Sequence, residues 1–392
     1  MNMKLTKFKY VAILLAGISA TSIPAIARAD WSIAKLDTFG NFTSLPTSIN
    51  DSGQVVGYSF SNISEDHAFI TGPDGVGITD LFVSDGISGA FDINNSGQVV
   101  GFSRISGNDV QAIITGPGGV GVTDLGTFGG SSSSAYAIND SGQVVGTFKA
   151  ASSEMHTIIT GPNGVGFTEL GTLGGRDNQG VDINASGQVT GTSRISGNLQ
   201  AHAYITGADG VGMKDVGALF LNSTASGIND SGQVVGYSDI ADGTNHAFVT
   251  DPDGVNMTDL GTLGGNFSQS IAINNLGEVV GVALTASDIG WHSFIYSHGG
   301  ITDLSLLAPV VAAGWSNLFV ADINNNGQIV GSGTLNGERA GFLLSYTPDT
   351  LFTPNPIFIP PIPIPEPQTY LMLLAGLSLI GFMARRRKEA GA

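Results

Sequence analysis

One nine-residue phrase, Ile-Asn-x-x-Gly-[Gln/Glu]-[Val/Ile]-[Val/Thr]-Gly, is written seven times, with its asparagine at Asn50, Asn94, Asn139, Asn184, Asn229, Asn274 and Asn324. The intervals are 44, 45, 45, 45, 45 and 50 residues. A period of about 45 residues is that of a four-stranded propeller blade, whereas a coil of a parallel β-helix needs about half that length or less. The period predicts an all-β body, a seven-bladed β-propeller over residues 30–346. Composition agrees: 57 glycines, 42% hydrophobic and only 12% charged residues suit short strands joined by tight turns.

Within one unit the pattern predicts strands at 134–138, 143–148, 156–160 and 165–170, separated by turn residues. The first turn, Asn139-Asp140-Ser141-Gly142, pairs a side chain able to bond the backbone ahead with a glycine free to take positive φ. The third, Gly161-Pro162-Asn163-Gly164, has proline fixing φ and glycine ending the turn. Small residues around Ile138 and Ile228 suit an inner strand crowded near the axis. The last repeat stops after its third strand, at 341–346, while residues 33–40 resemble the fourth-strand segment 122–129. An N-terminal strand that completes the final blade closes the ring and leaves no open array edge to aggregate.

The formal net charge of −17 understates the acidity of the body. Residues 30–365 keep seven basic against 30 acidic side chains, a net charge of −23, so nucleic acid is not an expected partner. The absence of cysteine removes disulfides, thiolate metal sites and thiol nucleophiles together. At the N-terminus, Lys4, Lys7 and Lys9 precede an apolar run from Tyr10 to about Ala20, and Ala27-Arg28-Ala29 offers a small-x-small cleavage site, so residues 1–29 read as a secretory signal.

Residues 347–364 form a proline-rich linker, which favours an extended spacer. Over 365–389 come Pro365-Glu366-Pro367, an apolar stretch from Tyr370 to Ala384, and Arg385-Arg386-Arg387-Lys388. That order resembles the PEP-CTERM sorting signal of Gram-negative bacteria. The resemblance implies an exosortase as processing partner, with Pro365, Glu366 and Pro367 as substrate residues and Arg385, Arg386 and Arg387 completing the sorting motif. A transmembrane helix over the apolar stretch is expected, about 22 Å long at 1.5 Å per residue, short for a hydrocarbon core of about 30 Å. The basic tail favours the cytoplasmic side, and the helix serves either a transient or a permanent inner-membrane anchor.

The third strand repeats His-Ala-Phe at 67–69 and 246–248, with near copies at 202–204 and 292–294, and the following loop reads Asp-Leu-Gly-Thr-Leu-Gly-Gly at 259–265. With the Ile-Asn phrase, this resembles the bacterial HAF-repeat family of extracellular proteins over roughly residues 33–346. The copies are uneven: Gln111 replaces histidine in the second repeat and His156-Thr157-Ile158 stands in the third. The resemblance implies an extracellular location and an association with exopolysaccharide or biofilm matrix, without an activity to carry over.

Histidine is the obvious catalytic suspect, yet His67, His156, His202, His246 and His292 occupy equivalent places in different repeats. Ligands of one metal lie about 2 Å from it, which equivalent places in a ring do not allow; each imidazole is expected to bond a turn or loop of its own blade. Asp92, Asp182 and Asp322 precede Ile-Asn in three repeats, where Ser48, Ala137, Gly227 and Ala272 stand in the others. Such carboxylates line the channel of a propeller. They are expected chiefly to accept backbone hydrogen bonds beside their turns; acid-base work or cation binding is the other reading. No phosphate loop, nucleophile elbow or His-Glu-x-x-His motif is present, and neither a cofactor nor a metal is expected. Trp291, Trp315 and Phe220 are candidate aromatics for stacking on sugars. The favoured function is therefore a non-enzymatic binding or structural protein, exported and tethered at the envelope or released, with polysaccharide as partner. The alternative is a propeller glycoside hydrolase or lyase using Asp92, Asp182 and Asp322.

Overall fold

The computed structural model describes residues 31–39, 43–60, 66–81, 88–104, 110–197, 199–286 and 290–346. The signal segment, the proline-rich linker and the sorting segment with its expected transmembrane helix lie outside the described residues. Among the described residues, no helix is long and apolar enough to cross a membrane.

The repeats fold into seven four-stranded antiparallel sheets, the blades of a propeller. Their inner strands are, for blades 1 to 7, Thr43–Ile49, Ser88–Ile93, Ser133–Ile138, Gly174–Ile183, Ser223–Ile228, Gly264–Ile273 and Trp315–Ile323. Blade 3 continues through Val144–Lys149, Met155–Thr160 and Phe167–Glu169, each end within two residues of the expectation. Blade 7 takes its fourth strand from the other end of the chain. Trp31–Lys35 pairs antiparallel with Glu338–Tyr346, placing Trp31 opposite Tyr346, Ile33 opposite Leu344 and Lys35 opposite Phe342. The strand begins two residues before the expected 33 and ends at Lys35; the Leu36 N–H adds one bond to the Gly341 carbonyl at 3.0 Å. Leu36 then packs with Ile49, Val55, Phe69, Val330 and Leu343, a core shared by blades 7 and 1. Burying side chains of this size stabilises by about 1.5–3 kcal/mol each.

The 50-residue interval has a structural cause. Between blades 6 and 7 the chain inserts a 3-10 turn, Leu304–Leu306, and one turn of helix, Ala308–Ala312. Leu304 and Val310 from this insertion are buried against Trp315, Leu318 and Phe342. Trp315, a candidate for sugar stacking, is thus a core residue at 5% exposure.

Every inner strand carries a β-bulge that the alternating sequence pattern does not announce. In blade 1, Pro46 faces Gly57 and Ser48 faces Val56, leaving Thr47 without a partner. The same slip occurs between Ala90 and Asp92, Ala135 and Ala137, Gly180 and Asp182, Ala225 and Gly227, Ser270 and Ala272, and Val320 and Asp322. A bulge bends its strand and re-aims the next side chain. Here it brings an inner-strand carbonyl against the last glycine of the phrase. A Cβ at Gly57, Gly191 or Gly236 would lie 2.1, 2.1 or 1.9 Å from the carbonyl oxygen of Leu45, Gln179 or Thr224. That close approach is why the ninth position is glycine in every copy.

The third turn departs in detail from its reading. It is a short 3-10 turn in which the residue after proline is left-handed along with the closing glycine, with φ of 53° at Asp74, 56° at Asn163 and 60° at Asp253 beside 69°, 74° and 64° at Gly75, Gly164 and Gly254. Asp and Asn tolerate that region better than other side chains, which accounts for their use there.

Blade 4 places tyrosine where blades 1, 5, 6 and 7 bury Phe69, Phe248, Phe294 and Phe342. The Tyr204 hydroxyl lies beside Thr157, whose Oγ1 already accepts the Gly180 N–H at 2.7 Å, and it forms no well-aligned hydrogen bond among the described residues. Removing an unsatisfied buried hydroxyl relieves its desolvation cost. Tyr204→Phe is expected to raise stability by about 1 kcal/mol, read as a higher urea midpoint at unchanged slope; a loss of 1 kcal/mol or more shows that the hydroxyl is bonded.

Candidate functional site

The turn after each inner strand is built on its asparagine. In blade 1, Asn50 Oδ1 accepts the Ser52 and Gln54 N–H groups at 3.2 and 3.0 Å and the Ser52 hydroxyl at 2.8 Å. Its Nδ2 donates to Gln54 Oε1 at 3.0 Å and, across the blade boundary, to the Asn94 carbonyl at 3.1 Å. The second bond recurs from Asn94 to Asn139, Asn139 to Asn184, Asn184 to Asn229, Asn229 to Asn274 and Asn274 to Asn324. Asn324 Nδ2 then donates to the Asn50 carbonyl at 2.9 Å. The seven repeat asparagines, all buried, thus form a closed hydrogen-bonded ring.

A second, exposed ring lies beside it. The backbone N–H of the residue after each asparagine donates to the side chain of its counterpart in the next blade: Asp51 to Asn95, Asn95 to Asp140, Ala185 to Asp230, Asp230 to Asn275, Asn275 to Asn325 and Asn325 to Asp51. The seventh bond would need a side chain at Ala185 and cannot form. The two rings, with the isoleucines behind them, line a polar funnel of about 350 Å³ at the centre of this face.

One step along the axis are the expected channel carboxylates. The bulge turns position 48, 92, 137, 182, 227, 272 or 322 inward, along with the N–H of the isoleucine that follows. Asp92 accepts the Ile93 N–H on Oδ1 and the Ile138 N–H of blade 3 on Oδ2, both at 2.8 Å. Asp182 accepts Ile183 and, in blade 5, Ile228 at 2.7 and 2.8 Å. Asp322 accepts Ile323 and, in blade 1, Ile49 at 2.8 and 2.9 Å. Three carboxylates therefore cap six inner N–H groups, and each reaches into a blade whose own residue is small: Ala137, Gly227 or Ser48. In blade 6 neither Ala272 nor the preceding Gly227 supplies a carboxylate for Ile273. Ser48 also joins two of the acids, its Oγ lying 2.7 Å from Asp92 Oδ1 and 2.8 Å from Asp322 Oδ2.

These three aspartates are half-buried by surface area. Loss of hydration raises Asp92, and raises Asp322 to about 7. Asp182 stands well above the usual carboxylate range, from the same loss and then from the charge of Asp92.

The histidines do not gather. Each bonds a carboxylate on the outermost strand of its own blade through Nδ1: His67 to Asp80 at 3.0 Å, His202 to Asp215 at 3.0 Å, His246 to Asp259 at 2.9 Å, His292 to Asp303 at 2.7 Å, and His156 to Glu169. The Nδ1 partner lies on a neighbouring strand, because antiparallel pairing lays strand three beside strand four; a loop partner of the kind expected is seen at His202, whose Nε2 lies 3.1 Å from the Leu221 carbonyl. Gln111 presents its amide to Asp124 at the same place in blade 2. Of the remaining aromatic candidates, Trp291 is 43% exposed with its ring edge on Phe267, and Phe220 is 52% exposed. Among the described residues no group of three His, Asp or Glu side chains is placed to hold a metal ion. The sorting residues lie outside the described residues.

Sequence reading missed Ser48 as a bridge and Glu278 as a seal. Glu278 stands where six copies have glutamine; in four of those, the glutamine reaches the next blade's third turn, as Gln143 Nε2 does to Asp209 Oδ1 at 3.0 Å. Blade 7 has no such turn, since its fourth strand arrives from the N-terminus. There Glu278 accepts the hydroxyl of Tyr346, whose ring lies 4.6 Å from that of Trp31. The one acidic exception to glutamine was the signal that marked it.

Residues 363–388 match the PEP-CTERM protein-sorting motif. That motif implies processing by an exosortase and export to the envelope or beyond it. No curated protein matches the chain. Among solved structures, TolB from Acinetobacter baumannii is similar at 13% identity and a TM-score of 0.41, over 54% of this chain and 52% of that one, so the match spans about half of its length. The β-propeller domain of the Trilobed protease from Pyrococcus furiosus, described as having an open velcro topology, is 10% identical with a TM-score of 0.54, over 78% of this chain and 97% of that one. Oligogalacturonate lyase from Vibrio parahaemolyticus is 9% identical with a TM-score of 0.52, over 81% and 97%. Likeness at such identities shows the propeller fold and nothing of the chemistry.

Proposed function

We propose that this chain is a non-enzymatic binding propeller of the cell exterior, delivered by its sorting motif and held at the envelope or released there, with the central funnel as its ligand site. The observation that carries this reading is how the polar side chains are used. The axis carboxylates cap backbone N–H groups, the histidines pair within their blades, and the funnel above them stays open and polar. Asp51, Asp140 and Asp230 offer acceptors around its rim. Such a surface suits a hydroxyl-rich chain, and the HAF-repeat resemblance favours exopolysaccharide. In a glycan array followed by calorimetry, the folded protein is expected to bind a polysaccharide, and Asp140→Ala to weaken binding about tenfold, one hydrogen bond's worth. Binding to no glycan by folded protein removes this reading.

The convergence of Asp92 and Asp322 on Ser48, with Asp322 near 7, favours the hydrolase or lyase reading as a second choice, since a general acid works best near the ambient pH. New reducing ends or unsaturated products from a polysaccharide, lost in Asp322→Asn, would establish it.

A further inference from the structure

The contacts around Ser48 contain more hydrogen bonds than the neutral hydroxyl has protons. Asp92 Oδ1 and Asp322 Oδ2 both lie within 2.8 Å of Ser48 Oγ, yet a serine hydroxyl donates only one hydrogen bond. The backbone supplies no second proton there, since the neighbouring N–H groups, Ile93, Ile138, Ile323 and Ile49, are directed at the carboxylates themselves. If both acids were ionised, one short oxygen–oxygen contact would hold no hydrogen.

We propose that the Asp92–Ser48–Asp322 chain binds one proton in the folded protein at neutral pH, and that this proton latches blades 7, 1 and 2 together across the seam where the ring is closed. One acid donates to Ser48 Oγ and Ser48 donates to the other, so the carboxyls of blades 2 and 7 are joined through blade 1. The surroundings favour the neutral form. The other inner positions are Ala137, Asp182, Gly227 and Ala272, and the funnel above adds Asp51, Asp140 and Asp230. No lysine, arginine or histidine stands at an inner position or lines the funnel to replace the proton's charge. Burial raises all three axis acids, Asp322 to about 7; the charge of Asp92 adds to Asp182 and Asp322, and that of Asp140 adds to Asp92.

The sign of the effect follows from proton binding. An unfolded aspartate releases its proton near pH 4, whereas the folded chain keeps it to about 7. The folded state therefore binds the extra proton between those values, and its advantage is complete at the acid end and lost as pH rises through about 7.

The test is a carbon-13 titration of the aspartate carboxyls in the full chain, assigned with Asp92→Asn, Asp182→Asn and Asp322→Asn, beside urea unfolding from pH 5 to 8. At least one axis carboxyl is expected to remain protonated at pH 6. Ser48→Ala, a residue that blades 3 and 6 already use there, is expected to weaken the shared proton's binding about tenfold, the worth of one hydrogen bond. The wild-type urea midpoint is expected to fall between pH 5 and 8, and the fall to shrink in Asp322→Asn. Ionisation of all three acids with ordinary aspartates, or an unchanged midpoint of titration in Ser48→Ala, overturns the shared proton. A urea profile as steep in Asp322→Asn as in the wild type overturns the latch. The wild-type titration needs no variant, so the proposal stays testable if one fails to fold.

Discussion

Gly236→Ala is expected to cost at least about 4 kcal/mol, a large share of the roughly 5–15 kcal/mol that holds a native chain folded. A Cβ at this position lies 1.9 Å from the Thr224 carbonyl oxygen, 2.9 Å from its carbon and 3.0 Å from Ala225 Cα. All three are backbone atoms, so no rotamer change relieves the clash, and only straightening the bulge would. Straightening shifts the inner strand by one residue against its neighbour and turns its buried face outward. Gly212→Ala is the control. It also replaces a glycine, with φ of 68°, but its Cβ meets nothing within 4 Å. That change is expected to cost about 1 kcal/mol, from backbone conformation alone. Urea midpoints compare the two; equal losses would remove the bulge as the reason for the ninth-position glycine.

Asn139→Ala is expected to cost roughly 3 kcal/mol, because buried groups lose their partners on both sides of a blade boundary. The Gln143 N–H loses its acceptor at 3.0 Å, Gln143 Oε1 its donor at 2.8 Å, and the Asn184 carbonyl of the next blade its donor at 3.1 Å. Asn139→Asp changes almost no volume but sets an oxygen against those last two acceptors, so at neutral pH it is expected to cost more than the alanine. Urea unfolding of both variants decides. A loss below about 1 kcal/mol for the alanine would mean that water replaces the asparagine and that the ring is not held by these bonds.

The blade count and the closing strand were legible because each repeat writes the same hydrophobic and turn pattern, and because the segment missing from the last copy stands at the other end of the body. What pattern could not show was partnership. His202 and Asp215 are separated by a whole turn, and only antiparallel pairing makes them neighbours. Asp182 and the Ile228 N–H are 46 residues apart, and their contact depends on which blades adjoin. The bulges were hidden because one extra residue leaves the apolar alternation nearly intact, though the invariant glycine opposite each was visible throughout. Trp315 reads like any exposed tryptophan until the inserted turn of helix covers it.

The inner positions, read around the ring, are Ser48, Asp92, Ala137, Asp182, Gly227, Ala272 and Asp322. They alternate between carboxylate and small residue except where Gly227 and Ala272 adjoin. Alternation of two kinds cannot close on an odd number, just as opposed spins cannot all be satisfied on a seven-membered loop. One mismatch is compulsory, and this chain locates it between blades 5 and 6, on a different boundary from the seam where its two ends meet. Once carboxylate and small residue alternate, an odd ring must hold one boundary unlike the rest, so pairs of blades cannot all share a carboxylate in the same way.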